Sequence, residues 1–450
     1  MEQIRLFDED TRRQINQQGM ALISKLVIKP VQKASPAKSQ EPGPDDPVCA
    51  TFKLEDIDDV ISYSQGMDGR TIDKFILSSS GEIGVGIIEY PALRELAAFV
   101  QSAKEVERLL AYSTIEDEVL KWAVAQFKEP SALELAQCLV NKANQVVENQ
   151  TFLVAVSGVR SAATLQIGKG RMEPLTQEFF NWWQSFIDPD DERQRTNQQM
   201  ISEYRRRLQG KLAYVARVRC DPVLGRSIAK EDAEDALSIL RFFMPSICDP
   251  YNISMCRPLN IDWYDCFVEI PDNCPPGYFE GCRETEVPEL LSPQLLELTY
   301  NAGIAPLTRM YLTKSESEFK EKLWQSISMF SNSSVQESAS DKLLYAVSAL
   351  EGFVNTNRQS NIERNLIKKM QFTISEDEST RRDIELAVKN AYSLRSRYVH
   401  NLRTVKANET ISKFLQFTQI FFLRLVLRCG EFKTRNEYFH HVEALSRKEQ

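Results

Sequence analysis

The chain has 450 residues, 42% of them hydrophobic and 26% charged, the balance of a soluble globular protein with room for two or three domains. Its formal net charge of -8 and pI near 5.3 exclude a whole-protein basic field, so any contact with nucleic acid has to use local patches. The opening Met-Glu-Gln-Ile-Arg-Leu-Phe-Asp has no apolar h-region, and the longest greasy run, Phe414 to Cys429, is broken by Gln416, Gln419 and Arg424, so the expectation is a cytoplasmic protein with no membrane partner.

Residues 1–29 alternate charge with Ile, Leu and Val, which predicts a short helix followed by a strand. Pro30 to Pro47 is rich in Pro, Ser, Lys and Asp and reads as a flexible linker, so residues 1–49 form an N-terminal segment. An α+β region is expected over 50–209. Ile72 to Leu77 and Ile83 to Glu89 are β-rich and separated by Ser78-Ser79-Ser80-Gly81, a hairpin pattern. Pro91 fits the first turn of a helix running toward Leu110. Helices are expected near 115–127 and 131–148, then a strand over Thr151 to Val156 with Ala163 to Ile167 as its partner. Two more helices, near 175–187 and 191–208, complete the region; Trp182 and Trp183 in the first are expected in the core. Gly81, Gly84 and Gly86, and Ile167-Gly168-Lys169-Gly170-Arg171, match neither phosphate-loop spacing. The acidic Asp56, Asp58 and Asp59 read as solvated surface.

Residues 210–310 continue as α+β, either as a separate domain or as one with the preceding region. Lys211 to Cys220 alternates as a strand, a helix is expected near 230–243, and a cysteine-bearing loop region follows with one clear strand, Cys266 to Ile270. Cys248, Cys256, Cys266, Cys274 and Cys282 are spaced by seven to nine residues, without the Cys-x2-4-Cys clip of a structural zinc site and with no histidine nearby. Free thiols are the reading, with no metal and no cofactor.

After Pro306 glycine and proline nearly vanish and the rest reads as helices. Phe319, Leu323, Ile327 and Phe330 make one apolar stripe; Leu343, Val347, Leu350 and Val354 the next; Ile362, Leu366 and Met370 a third. The last helix, Ile411 to Leu427, is apolar on most sides from Ile420 to Leu427, which predicts burial. Residues 433–450 read as a charged tail that includes His440 and His441. Between them, Ile384, Ala387, Val388, Ala391, Leu394, Tyr398, Val399 and Leu402 recur at steps of three and four, and Arg395 projects near the middle of their arc. A guanidinium keeps its charge, so this position requires an acidic partner, a cleft or a second subunit. His400 follows five residues later, about 140° away around a straight helix. Arg381, Arg382, Lys389, Arg397, Arg403, Lys406 and Lys413 give the surrounding segment a local basic excess.

Arg395 and His400 match an Arg-x4-6-His signature. The upstream Leu343-Leu344-Tyr345-Ala346-Val347-Ser348-Ala349-Leu350-Glu351-Gly352-Phe353 and the segment Tyr392 to His400 resemble the Ala-Leu-Glu helix and the Tyr-x-x-Arg-Ser-x-x-Val-His of the ApeA-like branch of the HEPN superfamily. The resemblance covers roughly residues 316–430. It implies an all-α, HEPN-like helical bundle over 311–432 following the α+β N-terminal region. It further implies a metal-independent endoribonuclease leaving 2′,3′-cyclic phosphate ends, acting as a homodimer through the helical domain. Arg395 and His400 would be catalytic, Glu351 and Ser396 accessory, and Arg397 and Arg403 RNA-binding. Ser396 stands where many enzymatic members carry Asn, Asp or His. The expected setting is a prokaryotic antiviral-defence or toxin effector whose N-terminal region senses a trigger or protein partner. The alternative is a catalytically inactive HEPN module serving as an RNA-binding or assembly subunit.

Overall fold

A computed structural model describes residues 4–29, 60–78, 81–161, 163–186, 195–250, 257–258, 260–261, 264–265, 267–271, 289–290, 299–355, 361–401 and 409–448. The predicted linker at Pro30 to Pro47 and four of the five clustered cysteines lie outside these residues; Cys248 lies within them. The chain forms two compact units, Met1–Gln150 with Arg219–Ser227, and Thr151–Val218 with Ile228–Gln450.

In the first unit a helix, α1 (Glu9–Ile23), is capped by Asp8, which accepts from the Thr11 amide at 2.7 Å. The strands β1 (Val27–Lys29), β2 (Ile61–Gln65), β3 (Thr71–Ser78) and β4 (Gly81–Val85) follow, and they pair antiparallel in the order β1-β4-β3-β2. Their register puts Ile28, Ile83, Ile76 and Ile61 in one row. The helices α2 (Tyr90–Gln101), α3 (Lys104–Glu107), α4 (Tyr112–Lys128) and α5 (Leu135–Val146) complete the unit; α2 and α4 pack on the sheet, and α1 packs on α2, α4 and α5. The single helix expected from Pro91 to Leu110 is therefore interrupted at Ser102. Gly19 of α1 is required where it crosses α4 and α5, because a Cβ there would sit 2.7 Å from Leu135 and 2.9 Å from Trp122.

The second unit begins with β5 (Glu148–Ser157), β6 (Val159–Arg160), β7 (Leu165–Ile167) and β8 (Gly170–Pro174), then α6 (Gln177–Gln184), α7 (Arg195–Leu208), β9 (Leu212–Cys220) and α8 (Pro222–Phe243). The sheet runs β5-β9-β8-β7, with β10 (Arg257–Pro258) and β11 (Phe267–Pro271) also paired to β5. The expected pairing of Ala163 to Ile167 with Thr151 to Val156 is thus corrected: β7 turns back on β8, a strand whose Gly and Pro obscured it in the sequence. Residues of β5 alternate between two cores. Phe152, Val154 and Val156 face α8 and the helical half, while Leu153 and Ala155 face Phe180 and Trp183 of α6 and Ile201 of α7. A strand covered on both faces reads as a continuous apolar run. Trp183 is buried as expected, whereas Trp182 is 41% exposed.

Among the described residues, seven further α-helices make the rest mostly helical: α9 (Ala305–Leu312), α10 (Glu318–Ser333), α11 (Ala339–Val354), α12 (Ile362–Ile374), α13 (Glu378–Asn401), α14 (Glu409–Leu427) and α15 (Arg435–Lys448). The architecture is an α+β N-terminal region with two small antiparallel sheets, followed by this helical half. α14 is apolar and long enough to cross a bilayer by composition, and here it packs against α9, α10, α11, α12 and α13, burying Ile411, Phe414, Leu415, Phe421 and Phe422. The helices share one continuous core with the sheet of β5 and β9. Residues 435–448, read from sequence as tail, form a packed helix with Tyr438 and Val442 buried.

Candidate functional site

Two helices build the site. The first turn of α11 is fixed by Ser338, whose Oγ accepts from the Asp341 amide at 3.0 Å and donates to Asp341 Oδ2 at 2.6 Å. Its last turn is held by two cations. Arg435 Nη1 donates to the carbonyls of Gly352, Phe353 and Asn355 at 3.1–3.2 Å, and Lys369 Nζ reaches the Val354 carbonyl at 3.3 Å. Cations suit the exposed carbonyls and negative dipole end of a helix C-terminus. Glu318 anchors Arg435 in turn, at 2.7 Å from its Nε.

Across from α11 lies α13, started by Asp377, which accepts from the Thr380 amide at 2.8 Å. Ile384, Ala387, Val388 and Ala391 bury the helix against the core, Leu394 and Tyr398 are half-buried, and Val399 is 46% exposed. The predicted apolar arc therefore leaves the core over its last two turns; Leu402 lies outside the described residues.

Arg395 meets an acidic partner: its Nη2 donates to Glu351 Oε2 at 3.4 Å. The other Glu351 oxygen accepts from the Tyr392 hydroxyl at 3.0 Å. Burial first, then the neighbouring Glu351 carboxylate, pushes the Tyr392 phenol well above its ordinary range, so it remains a donor. Arg395 Nε is buried and makes no hydrogen bond. One guanidinium nitrogen, Nη2, is thus committed and a second, Nε, is unsatisfied. One turn on, Tyr398 donates to Asp341 Oδ1 at 2.8 Å, so the C-terminal part of α13 is tied to α11 near both ends of α11.

The remaining predicted residues are dispersed. His400, the penultimate residue of α13, is exposed and has no hydrogen bond among the described residues. It stands about 7.5 Å along the helix from Arg395 and on another face, so one protomer does not bring the two together. Ser396 is exposed and takes no part in the hydrogen bonds that fix Arg395. Arg397 is exposed, its Nε 3.4 Å from the Ser393 carbonyl, and Arg403 lies outside the described residues. Among the described residues no cluster of three or more His, Cys, Asp or Glu could hold a metal ion.

The sequence reading missed Tyr392 as the second ligand of Glu351, Asp341 as the anchor of Tyr398, and the cations behind α11. Spacing carried a usable signal for one of these: Tyr438, Val442 and Leu445 recur at helical intervals beside Arg435. A cavity of about 810 Å³ lies beside α13, lined by Glu363, Arg364, Lys368, Lys389 and Glu443 among others, and Glu363 is near enough to raise the Tyr392 phenol further. No protein-family model matches the chain, and no curated protein and no solved structure is significantly similar to it.

Proposed function

We propose that the helical half is a HEPN-type domain that cleaves RNA without a metal, and that two protomers pair through it. The supporting observation is Arg395, held by Glu351 and yet left with a buried, unsatisfied Nε. A phosphodiester oxygen supplies the acceptor that this nitrogen lacks, and a planar guanidinium grips two such oxygens in a charge-assisted pair. The ribose 2′-hydroxyl must lose a proton and the departing 5′-oxygen must gain one. His400, exposed at the end of α13, is the proton carrier, an imidazole acting as general base and acid with an effect of roughly 10²–10⁴-fold. Pairing about a twofold axis sets each motif beside its symmetry mate, which answers the separation of Arg395 from His400 on one helix. The partly uncovered end of α13, with Val399 exposed, is the surface available for such pairing. The α+β region then serves to sense a trigger or a protein partner, in a defence or toxin setting.

A second reading has its own support. Glu351 already engages Arg395, as in a register-fixing ion pair, and a catalytically idle module that binds RNA or assembles a complex needs no more than that. His400 separates the two. With His400→Ala, the nuclease loses turnover by at least a hundredfold while keeping its RNA affinity and dimeric mass. The idle module keeps every property it had, and loses RNA only when Arg397 or Lys389 is replaced.

A further inference from the structure

The first unit contains a cavity that the proposed nuclease does not use. It holds about 520 Å³ and opens between the β2–β3 turn, the segment after β4, the first turns of α2 and the start of α4. Small-molecule sites fall in roughly this range, 300–1,000 Å³. Ile72, Ile87, Pro91 and Ala98 line it with aliphatic surface beside the phenols of Tyr90 and Tyr112, and Asp68, Arg70, Arg94 and Glu95 supply its charges.

Two observations distinguish it from an ordinary surface hollow. Tyr90 links the cavity to a buried ionic chain: its hydroxyl donates to Glu116 Oε1 at 3.0 Å, Glu116 Oε2 accepts from Lys74 Nζ at 2.8 Å, and Lys74 also pairs with Asp117. Lys74 and Glu116 are 7% and 5% exposed. Burying such charges costs stability that apolar side chains of similar volume would not, and charges retained behind a cleft are a recognised mark of functional sites. The second observation is Arg94. The other arginine of the cavity, Arg70, lies 3.5 Å from the Asp68 carboxylate, whereas Arg94 is in no ion pair with a carboxylate among the described residues. The Tyr112 hydroxyl donates to the Arg94 carbonyl at 3.1 Å, which ties the start of α4 to α2, and the Arg94 side chain lines the cavity without being neutralised.

We propose that this cavity binds a small amphipathic monoanion, with one acidic head on an aromatic or short aliphatic body. Arg94 takes the head as a charge-assisted pair. Ile72, Ile87, Pro91 and Ala98 take the body, which removes exposed apolar surface such as Ile87, at present 62% exposed, from water. The proposal holds whether or not the helical half cleaves RNA.

The test uses the full chain and 1-anilinonaphthalene-8-sulfonate as a fluorescent probe, with octanoate and inorganic phosphate as competitors. Wild type is compared with Arg94→Ala, with Ala98→Trp, which fills the cavity from an exposed helix position, and with Lys104→Ala as a control outside the lining. Urea unfolding curves matching wild type establish that each variant is folded. The expected result is one saturable equivalent on wild type and Lys104→Ala, displaced by octanoate and not by phosphate. Affinity should fall at least tenfold in Arg94→Ala and binding should vanish in Ala98→Trp. Equal binding by all four proteins, or displacement by phosphate as readily as by octanoate, overturns the proposal.

Discussion

Glu351 divides its two oxygens between Tyr392 and Arg395, and that division decides how much of the guanidinium remains for a ligand. The Arg395–Glu351 pair is partly exposed, so its stabilising contribution is about 1 kcal/mol or less. Glu351→Gln should therefore barely move the unfolding midpoint, while RNA cleavage falls tenfold or more because Arg395 is no longer oriented. Parallel urea titrations and initial rates check both halves of that statement. The buried lysines give a pH prediction. Burial pulls Lys342 and Lys369 down to about 8, against about 10.4 in an unfolded chain. Between those values the unfolded state binds more protons at these two positions, so their contribution to stability is constant below about pH 8 and rises from there toward pH 10, against the opposite contribution of Cys138, Cys220, Cys248 and Cys429, whose thiols burial pushes up. Tyr392 and Tyr438, pushed up by burial, reverse the trend at higher pH, since only the unfolded chain releases their protons. From pH 8 to pH 10 the stability of wild type should therefore gain on that of a Lys342→Met, Lys369→Met double variant, measured by urea unfolding at each pH. Arg395 was legible in the sequence because a charge in the middle of an apolar helical arc demands an explanation. Tyr392 was hidden because it falls outside that arc, where nothing in the spacing asks what its hydroxyl touches.

At the scale of elements, α11 and α13 act as a pair. α11 is capped by Ser338 and Asp341 at one end and by Arg435 and Lys369 at the other, and it presents Asp341 and Glu351 to α13. Tyr398→Phe deletes the last tie before His400, so hydrogen exchange across residues 396–401 should quicken while the rest of the helix is unchanged. Arg435→Ala removes a half-buried hydrogen-bonded cation and should cost about 2–3 kcal/mol in denaturant unfolding. The helices with strong stripes, such as Phe319, Leu323, Ile327 and Phe330, were readable from spacing alone, and all four side chains are buried. The β8 strand was not. It contains Gly170, where a Cβ would lie 2.3 Å from the Val215 carbonyl, and it ends in Pro174, so the residues that permit its close pairing also disguise it. The helix α15 was disguised by charge: its exposed face carries enough Arg, Glu and His to mask Tyr438, Phe439 and Val442.

For the whole molecule, the continuous core matters most. Phe152, Val154 and Tyr214 of the sheet belong to the same apolar cluster as Leu343, Leu350 and Phe422 of the helices. A composition shift after Pro306 marks where helices begin and carries no information about where a core ends, which is why the sequence points to a boundary near 311. The fragment 311–432 would expose the faces that β5, α8 and α15 cover, and should lack a cooperative unfolding transition; calorimetry of that fragment beside the full chain checks this. On the proposed nuclease reading, RNA contact relies on the local basic excess around α13 in a chain of net charge -8, so binding should weaken steeply with salt. The most direct test of the central claim is cleavage of an end-labelled RNA in excess EDTA by wild type, Arg395→Ala and His400→Ala, with the mass of each protein measured alongside. Wild type should give products with 2′,3′-cyclic phosphate ends, and neither variant should give products although both remain dimers. Equal cleavage by all three proteins would contradict that claim.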